Sequence, residues 1–172
     1  MSAANQQERQ GIEPWIVGFT DGEGCFSVCF IKNATNKSGW QVFPEFVITQ
    51  GVKSLKALEI FEKYFGCGKI FINKRYDNHN EHLYRYCVRS LSDLSEKIVP
   101  FFKRYPLKTA KEKDFLIFAK IVKLMEKQIH RKESGMRVIA RMAEKMNRKK
   151  KSRFLESSET IRRTPIKKLG KI

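Results

Sequence analysis

The sequence predicts an α+β fold: an αββαββα core with a four-stranded antiparallel sheet, helices on one face of that sheet, and further C-terminal helices. Three observations lead there. Two apolar segments alternate with the period of strands, two more flank a polar tip as a hairpin, and the stretches between and after them repeat their apolar residues at helical spacing. A chain of 172 residues is long enough for one compact domain and short for two. The expected division is an N-terminal extension over 1–13, a domain over 14–147 and a basic tail over 148–172.

Taken in order, Pro14 to Asp21 reads as a short helix, opened by proline in its first turn and closed by Gly22 and Gly24; Gly18 and Gly22, four apart, share a face. From Cys25 to Asn33 a strand turns Phe26, Val28 and Phe30 to one side and Ser27, Cys29 and Ile31 to the other. After a loop over 34–39, Gln41 to Gln50 forms a second strand. Val42, Phe46 and Ile48 lie on one face, and Gln41, Phe43, Glu45, Val47 and Thr49 on the other. Pro44 argues against a central position there, because it lacks a ladder donor. Leu55, Leu58, Phe61 and Phe65 mark a helix over Lys53 to Phe65, stopped by Gly66 and Gly68. Lys69 to Asn73 and His82 to Arg89 pair as a hairpin, with Ile70, Ile72, Tyr84, Tyr86 and Val88 facing inward. Ser92 suits the cap of a helix running to about Lys103. Tyr105 to Leu107 breaks the chain, and Lys108 to Lys127 and Glu133 to Asn147 are amphipathic helices. Arg148 to Ile172 carries ten basic and two acidic residues, the composition of a tail or loosely docked arm.

Charge narrows the function. Lys and Arg number 35 against 18 Asp and Glu, a formal net charge of +17. Such a surplus needs a polyanionic partner. Nucleic acid is favoured over an acidic membrane surface, because basic side chains release the counterions condensed on phosphates. No run of about twenty apolar residues is present, so no membrane span is expected. The first residues lack the apolar region of a secretory signal and the basic amphipathic helix of an import presequence, which suits synthesis in the compartment of use. Cys25, Cys29, Cys67 and Cys87 form no CxxC pair, and the three histidines do not extend them into a zinc pattern, so free thiols are expected.

Chemistry concentrates in Ile16 to Gly24, IVGFTDGEG. Its two carboxylates, Asp21 and Glu23, stand at the negative end of a helix dipole at a cost of about 0.3–1 kcal/mol, so a compensating cation or a partner helix is expected. Hard oxygen ligands of this kind suit magnesium or calcium. Taken alone, DGEG is more often an ordinary surface turn.

The nine residues together, with the element order after them, resemble the LAGLIDADG motif of single-motif, homodimeric homing endonucleases. The resemblance spans roughly residues 14 to 147 and includes Ile48 to Gln50, at the end of the second strand, and RYPLKTAKEKDF at Arg104 to Phe115. The chain departs from the motif at Thr20, where an apolar residue is usual, at Val17, which is larger than the usual alanine, and at Glu23, where aspartate is more frequent. The resemblance implies that Glu23 binds a catalytic divalent metal with the Gly22 carbonyl as a further ligand. It implies that Gln50 orients solvent at the scissile phosphate, and that Lys111, or alternatively Lys108, stabilises charge there. Gly18 and Gly22 would let the motif helices of two subunits approach closely, with Asp21 supporting the interface. Magnesium is the expected cofactor, with calcium binding but not supporting cleavage.

The uncovered sheet face would read double-stranded DNA through Ser27, Cys29, Ile31, Asn33, Gln41, Phe43, Glu45, Val47, Thr49, Lys69, Phe71, Asn73, Arg75, Arg85, Cys87 and Arg89. Arg85 and Arg89 suit guanine edges best. A homodimer implies a pseudopalindromic site. The family also makes an organellar origin the expectation, mitochondrial before plastid, within an intron. Two rival readings remain: an RNA-binding maturase acting on its own intron RNA, and a non-catalytic DNA-binding regulator on the same fold.

Overall fold

Why the sheet has one covered face follows from the spacing of its large apolar residues. The computed structural model describes residues 11–36, 38–73, 82–146 and 154–155. Helix α1 spans Ile12–Glu23 and runs directly into β1, Gly24–Lys32. The helix passes through Gly22 rather than stopping at it. The turn is made at Gly24, where a Cβ would lie 2.6 Å from the Thr20 methyl and 2.9 Å from the Thr20 carbonyl oxygen. Strand β2, Trp40–Gly51, is followed by a 3-10 turn at Val52–Ser54 and helix α2, Leu55–Phe65. Gly66 ends α2 in the left-handed conformation, φ 56°. Strands β3, Lys69–Asn73, and β4, Leu83–Val88, complete a sheet of order β1-β2-β4-β3, every neighbouring pair antiparallel.

Pro44 sits inside β2, an interior strand, without breaking it. The β2–β4 ladder begins only at Phe46↔Val88, whereas Pro44 is paired with Val28 of β1. At that level β2 has a neighbour on one side alone, so the missing N–H need not interrupt a second ladder.

Beyond β4, Ser90 rather than Ser92 caps the next helical segment. Its hydroxyl accepts the Asp93 N–H at 3.3 Å, since Ser90 still has extended backbone and Ser92 is already within α3, Leu91–Asp93. A π-helical turn, Leu94–Ile98, then leads into α4, Val99–Arg104. Pro100, in the first turn of α4, lacks an N–H and crowds the preceding turn; the wider π turn lets the helical path continue through it. Helix α5 spans Lys111–Glu126, starting three residues later than the spacing suggests because Lys108 and Thr109 are held by Asp21 near the end of α1, and α6 spans Glu133–Ala143.

The core lies between sheet and helices. Phe26 and Phe46 stack at 5.0 Å, and Phe102, Phe115 and Phe118 close around Phe26 at 5.2 to 5.4 Å. Each fully buried phenylalanine contributes about 1.5–3 kcal/mol, so this cluster decides which face the helices cover. Tyr86 and Val88 join it as expected, but Ile72 does not. It is 55% exposed, near the end of the edge strand β3. The basic tail begins outside the described residues, yet Phe154 is 3% exposed and stacks on Phe30 at 5.3 Å, so the chain returns to the core at the far end of β1.

Candidate active site and nucleic-acid interface

The acidic turn is held together by a segment nearly ninety positions away in the chain. Asp21 accepts the Lys108 N–H at 2.7 Å, the Thr109 N–H at 3.2 Å and the Thr109 hydroxyl at 2.7 Å. Burial raises its pKa, but those hydrogen bonds and the Lys111 ammonium outweigh it and hold the carboxyl below its ordinary value. Asp21 is thus a structural clasp between α1 and the start of α5. Glu23, two residues on, is exposed, and its carboxylate makes no hydrogen bond to a described residue. Sequence reasoning missed Thr109; the Lys-Thr-Ala run before an amphipathic helix is the signal of a helix entrance needing an acceptor.

The compensating cation expected at the end of α1 is Lys111. Its ammonium donates to the Thr20 carbonyl at 2.9 Å, which also accepts the Gly24 N–H, and to the Gly22 carbonyl at 3.3 Å, both in the last turn of the helix. Burial lowers the Lys111 pKa, while Cys25, Asp21, Glu23 and Asp114 draw it the other way. Of the two candidate lysines the fold brings Lys111 to the acidic turn; Lys108 contributes its backbone N–H. Gln50 pairs with Tyr84 at the end of β2, two residues past the Gly24↔Ile48 pair that joins β2 to the acidic turn.

A divalent cation fits this donor set. One chain offers the free Glu23 carboxylate and a Gly22 carbonyl already facing a positive charge, hard oxygen donors of the kind magnesium and calcium prefer. No group of three or more metal-ligating His, Cys, Asp or Glu side chains occurs among the described residues.

The registers place the predicted reading residues on one face. Cys25, Val47, Cys87 and Lys69 form one row across all four strands; Thr49, Arg85 and Phe71 form the next; Ser27 lies opposite Glu45, Cys29 opposite Phe43 and Ile31 opposite Gln41. Asn73 lies opposite Leu83. Ile31, at 45%, and Phe71, at 44%, are open to solvent, and Asn33 donates from its side-chain amide to Gln41 at 3.1 Å. Three residues of the expected face are covered instead: Val47 at 7%, Cys87 at 3% and Glu45 at 7%. Strand alternation assigns a face but says nothing of the neighbours that shade a residue on it. Glu45 is shaded by Arg85, 3.0 Å away, and by Arg89, which is also stacked between the rings of Phe43 and Phe71. Arg75 falls outside the described residues. Burial raises the pKa of all four cysteines, which leaves them as neutral thiols.

On α1, Gly18 and Gly22 are exposed, and a Cβ at either would have no atom within 4 Å. Beside them lies an apolar hollow of about 340 Å³ lined by residues that include Pro14, Val17, Tyr105 and Pro106.

Comparison with known proteins places this geometry. The family model described as LAGLIDADG endonuclease matches residues 16–122. A probable intron-encoded endonuclease of Neurospora crassa is 30% identical over 138 residues, 79% of this chain and 25% of that protein. The chain spans about a quarter to a third of the first curated relatives it matches. Among solved structures, the homing endonuclease I-TnaI superposes with a TM-score of 0.75 and 39% identity over 87% of this chain and 97% of its own. I-SmaMI, bound to uncleaved DNA target in the presence of calcium ions, does so with a TM-score of 0.75 and 34% identity over 86% of this chain and 48% of its own. Because that family model covers residues 16–122, more than half of its length, this chain belongs to the LAGLIDADG endonuclease family.

Proposed function

We propose that the protein is a sequence-specific homing endonuclease that acts as a homodimer and hydrolyses both strands of a long pseudopalindromic DNA site with magnesium at the dimer axis. The observation that carries this reading is the pairing of an uncommitted carboxylate, Glu23, with the Lys111 ammonium at one end of a basic, uncovered sheet. Glu23 and the Gly22 carbonyl would hold the cation. When bound, it supplies an activated water and charge neutralisation on the phosphate. Gln50 would order solvent at the strand end, and Lys111 would stabilise charge on the phosphate as the bond breaks.

Two copies are favoured on two grounds. Gly18 and Gly22 leave α1 bare enough for close helix approach, and one copy of this chain matches about half of I-SmaMI. The groove face, with the sequence-predicted residues that stay open on it, would contact DNA, and the segments over 1–13 and 148–172, apart from the docked Phe154 and Leu155, would flank the domain. Relatives described as intron-encoded support an organellar, mitochondrial origin.

Incubation with magnesium and a randomised DNA library, followed by sequencing of cut ends, tests the proposal. Two symmetric cuts in a recurrent site are expected, with calcium giving binding but no cuts. Glu23→Gln should lower cleavage by at least about a hundredfold while leaving specific binding within a few-fold, since metal ligation is lost and the reading face is untouched. Cleavage by that variant at near the wild-type rate sinks the site assignment.

A further inference from the structure

A carboxylate on a surface meant for phosphates is electrostatically out of place. Glu45 is in the middle of β2, on the groove face, and its nearest cross-strand neighbour on β1 is Ser27. Left open, it would repel the duplex, or accept from a cytosine amine. Instead it is 7% exposed. One carboxylate oxygen accepts from the Arg85 guanidinium at 3.0 Å and the other from Nε of Arg89. Arg89 is fixed twice more, with its guanidinium 5.5 Å from the Phe43 ring centroid and 5.2 Å from that of Phe71. One acid on β2 therefore organises two bases from β4 and its end, and the ring of β3 closes the assembly. Hydrogen bonding to Glu45 raises the Arg89 pKa.

Both arginines nevertheless remain open to solvent, with side-chain exposures of 32% for Arg85 and 41% for Arg89. A guanidinium has five N–H donors, and Glu45 engages one from Arg85 and one from Arg89, so donors remain for a ligand. A free arginine loses much rotamer entropy on binding and pairs readily with any phosphate; one already oriented loses less and is limited to what lies in its direction. We propose that Glu45 is a specificity-determining positioning residue: it does not contact DNA, but clamps Arg85 and Arg89 in the orientation that reads base edges and withholds them from the backbone. This rests on the sequence-specific DNA binding proposed above.

Equilibrium binding of the full chain across a panel of single-base-pair variants of its selected site, at two salt concentrations with calcium present, tests it. Arg85→Ala and Arg89→Ala first locate the positions each arginine reads. Glu45→Gln should then lower discrimination at those same positions by about tenfold or more. It should also tighten binding to unrelated DNA and steepen the salt dependence by about one to two charges, as freed guanidiniums find phosphates. In the Arg85→Ala/Arg89→Ala background Glu45→Gln should change discrimination no further. Weaker binding to all sequences alike, together with a lowered melting temperature, overturns the inference by making Glu45 a fold residue. A preference lost at a third position, persisting in the double-arginine background, overturns it by making Glu45 a reader. A wild-type chain that binds every sequence equally overturns the functional reading and this inference together, whereas full discrimination retained in Glu45→Gln overturns the inference alone.

Discussion

Thr20 is fully buried, yet its hydroxyl has no hydrogen-bond partner among the described residues. Its carbonyl, by contrast, receives both the Gly24 N–H and the Lys111 ammonium. Thr20→Val keeps the methyl that packs against Gly24 and removes the unsatisfied group. It should stabilise the protein by about 1 kcal/mol, raising the melting temperature by about 2–4 °C; a fall in calorimetry would show that the hydroxyl has a partner. Asp21 has the opposite character. Because its folded pKa is depressed, its stabilising contribution is present above the ordinary carboxylate value and is lost as pH falls through the folded one. Asp21→Asn should therefore be less stable than the wild type near neutrality and converge with it in acid, as urea titrations at several pH values would show. That α1 ended in a charge imbalance was legible in nine residues. The source of its cation, Lys111, lay 88 positions from Glu23, and periodicity cannot show which loop folds back onto which helix end.

At the scale of elements, α1 does two jobs: its buried side holds Ile16, Val17 and Thr20, while its outer side leaves Gly18 and Gly22 bare. Gly18→Leu has room within one subunit, so its effect should fall on association. The dimer dissociation constant, from light scattering across a dilution series, should rise about tenfold or more while the melting temperature of the monomer stays put. A wild type that is monomeric at micromolar concentration without DNA contradicts the dimer. Element types were legible almost throughout because apolar spacing is local. The exceptions each have a physical cause: Pro44 survives in an interior strand because the next ladder starts two residues later, and the helix after β4 takes a π turn because Pro100 stands within it. The burial of Glu45 depended on two arginines forty and more positions away, so its role on the groove face was not legible.

For the whole molecule, +17 of formal charge makes a strong salt dependence the expected mark of the proposed DNA binding. The docking of Phe154 divides the basic tail, so a truncation should begin after Leu155. Removing residues 156–172, with five basic residues and two acidic, should weaken binding to all DNA alike and reduce the salt slope, by about 0.9 for every phosphate that the shortened chain leaves unneutralised. A change in preferred bases on truncation would give the tail a reading role. The sheet itself sets a ruler. A strand advances about 3.4 Å per residue, close to the axial distance between neighbouring base pairs, so laid along the proposed duplex β1, with nine residues, and β2, with twelve, would each span about nine to twelve base pairs. Side chains alternate between faces, so each strand presents one reading side chain for about every second pair. The aligned rows, such as Cys25, Val47, Cys87 and Lys69, would place neighbouring strands over the same base pairs instead of staggering them. On that reading, base pairs between rows would be left to the longest side chains, and a target copied with errors at those positions would still be recognised.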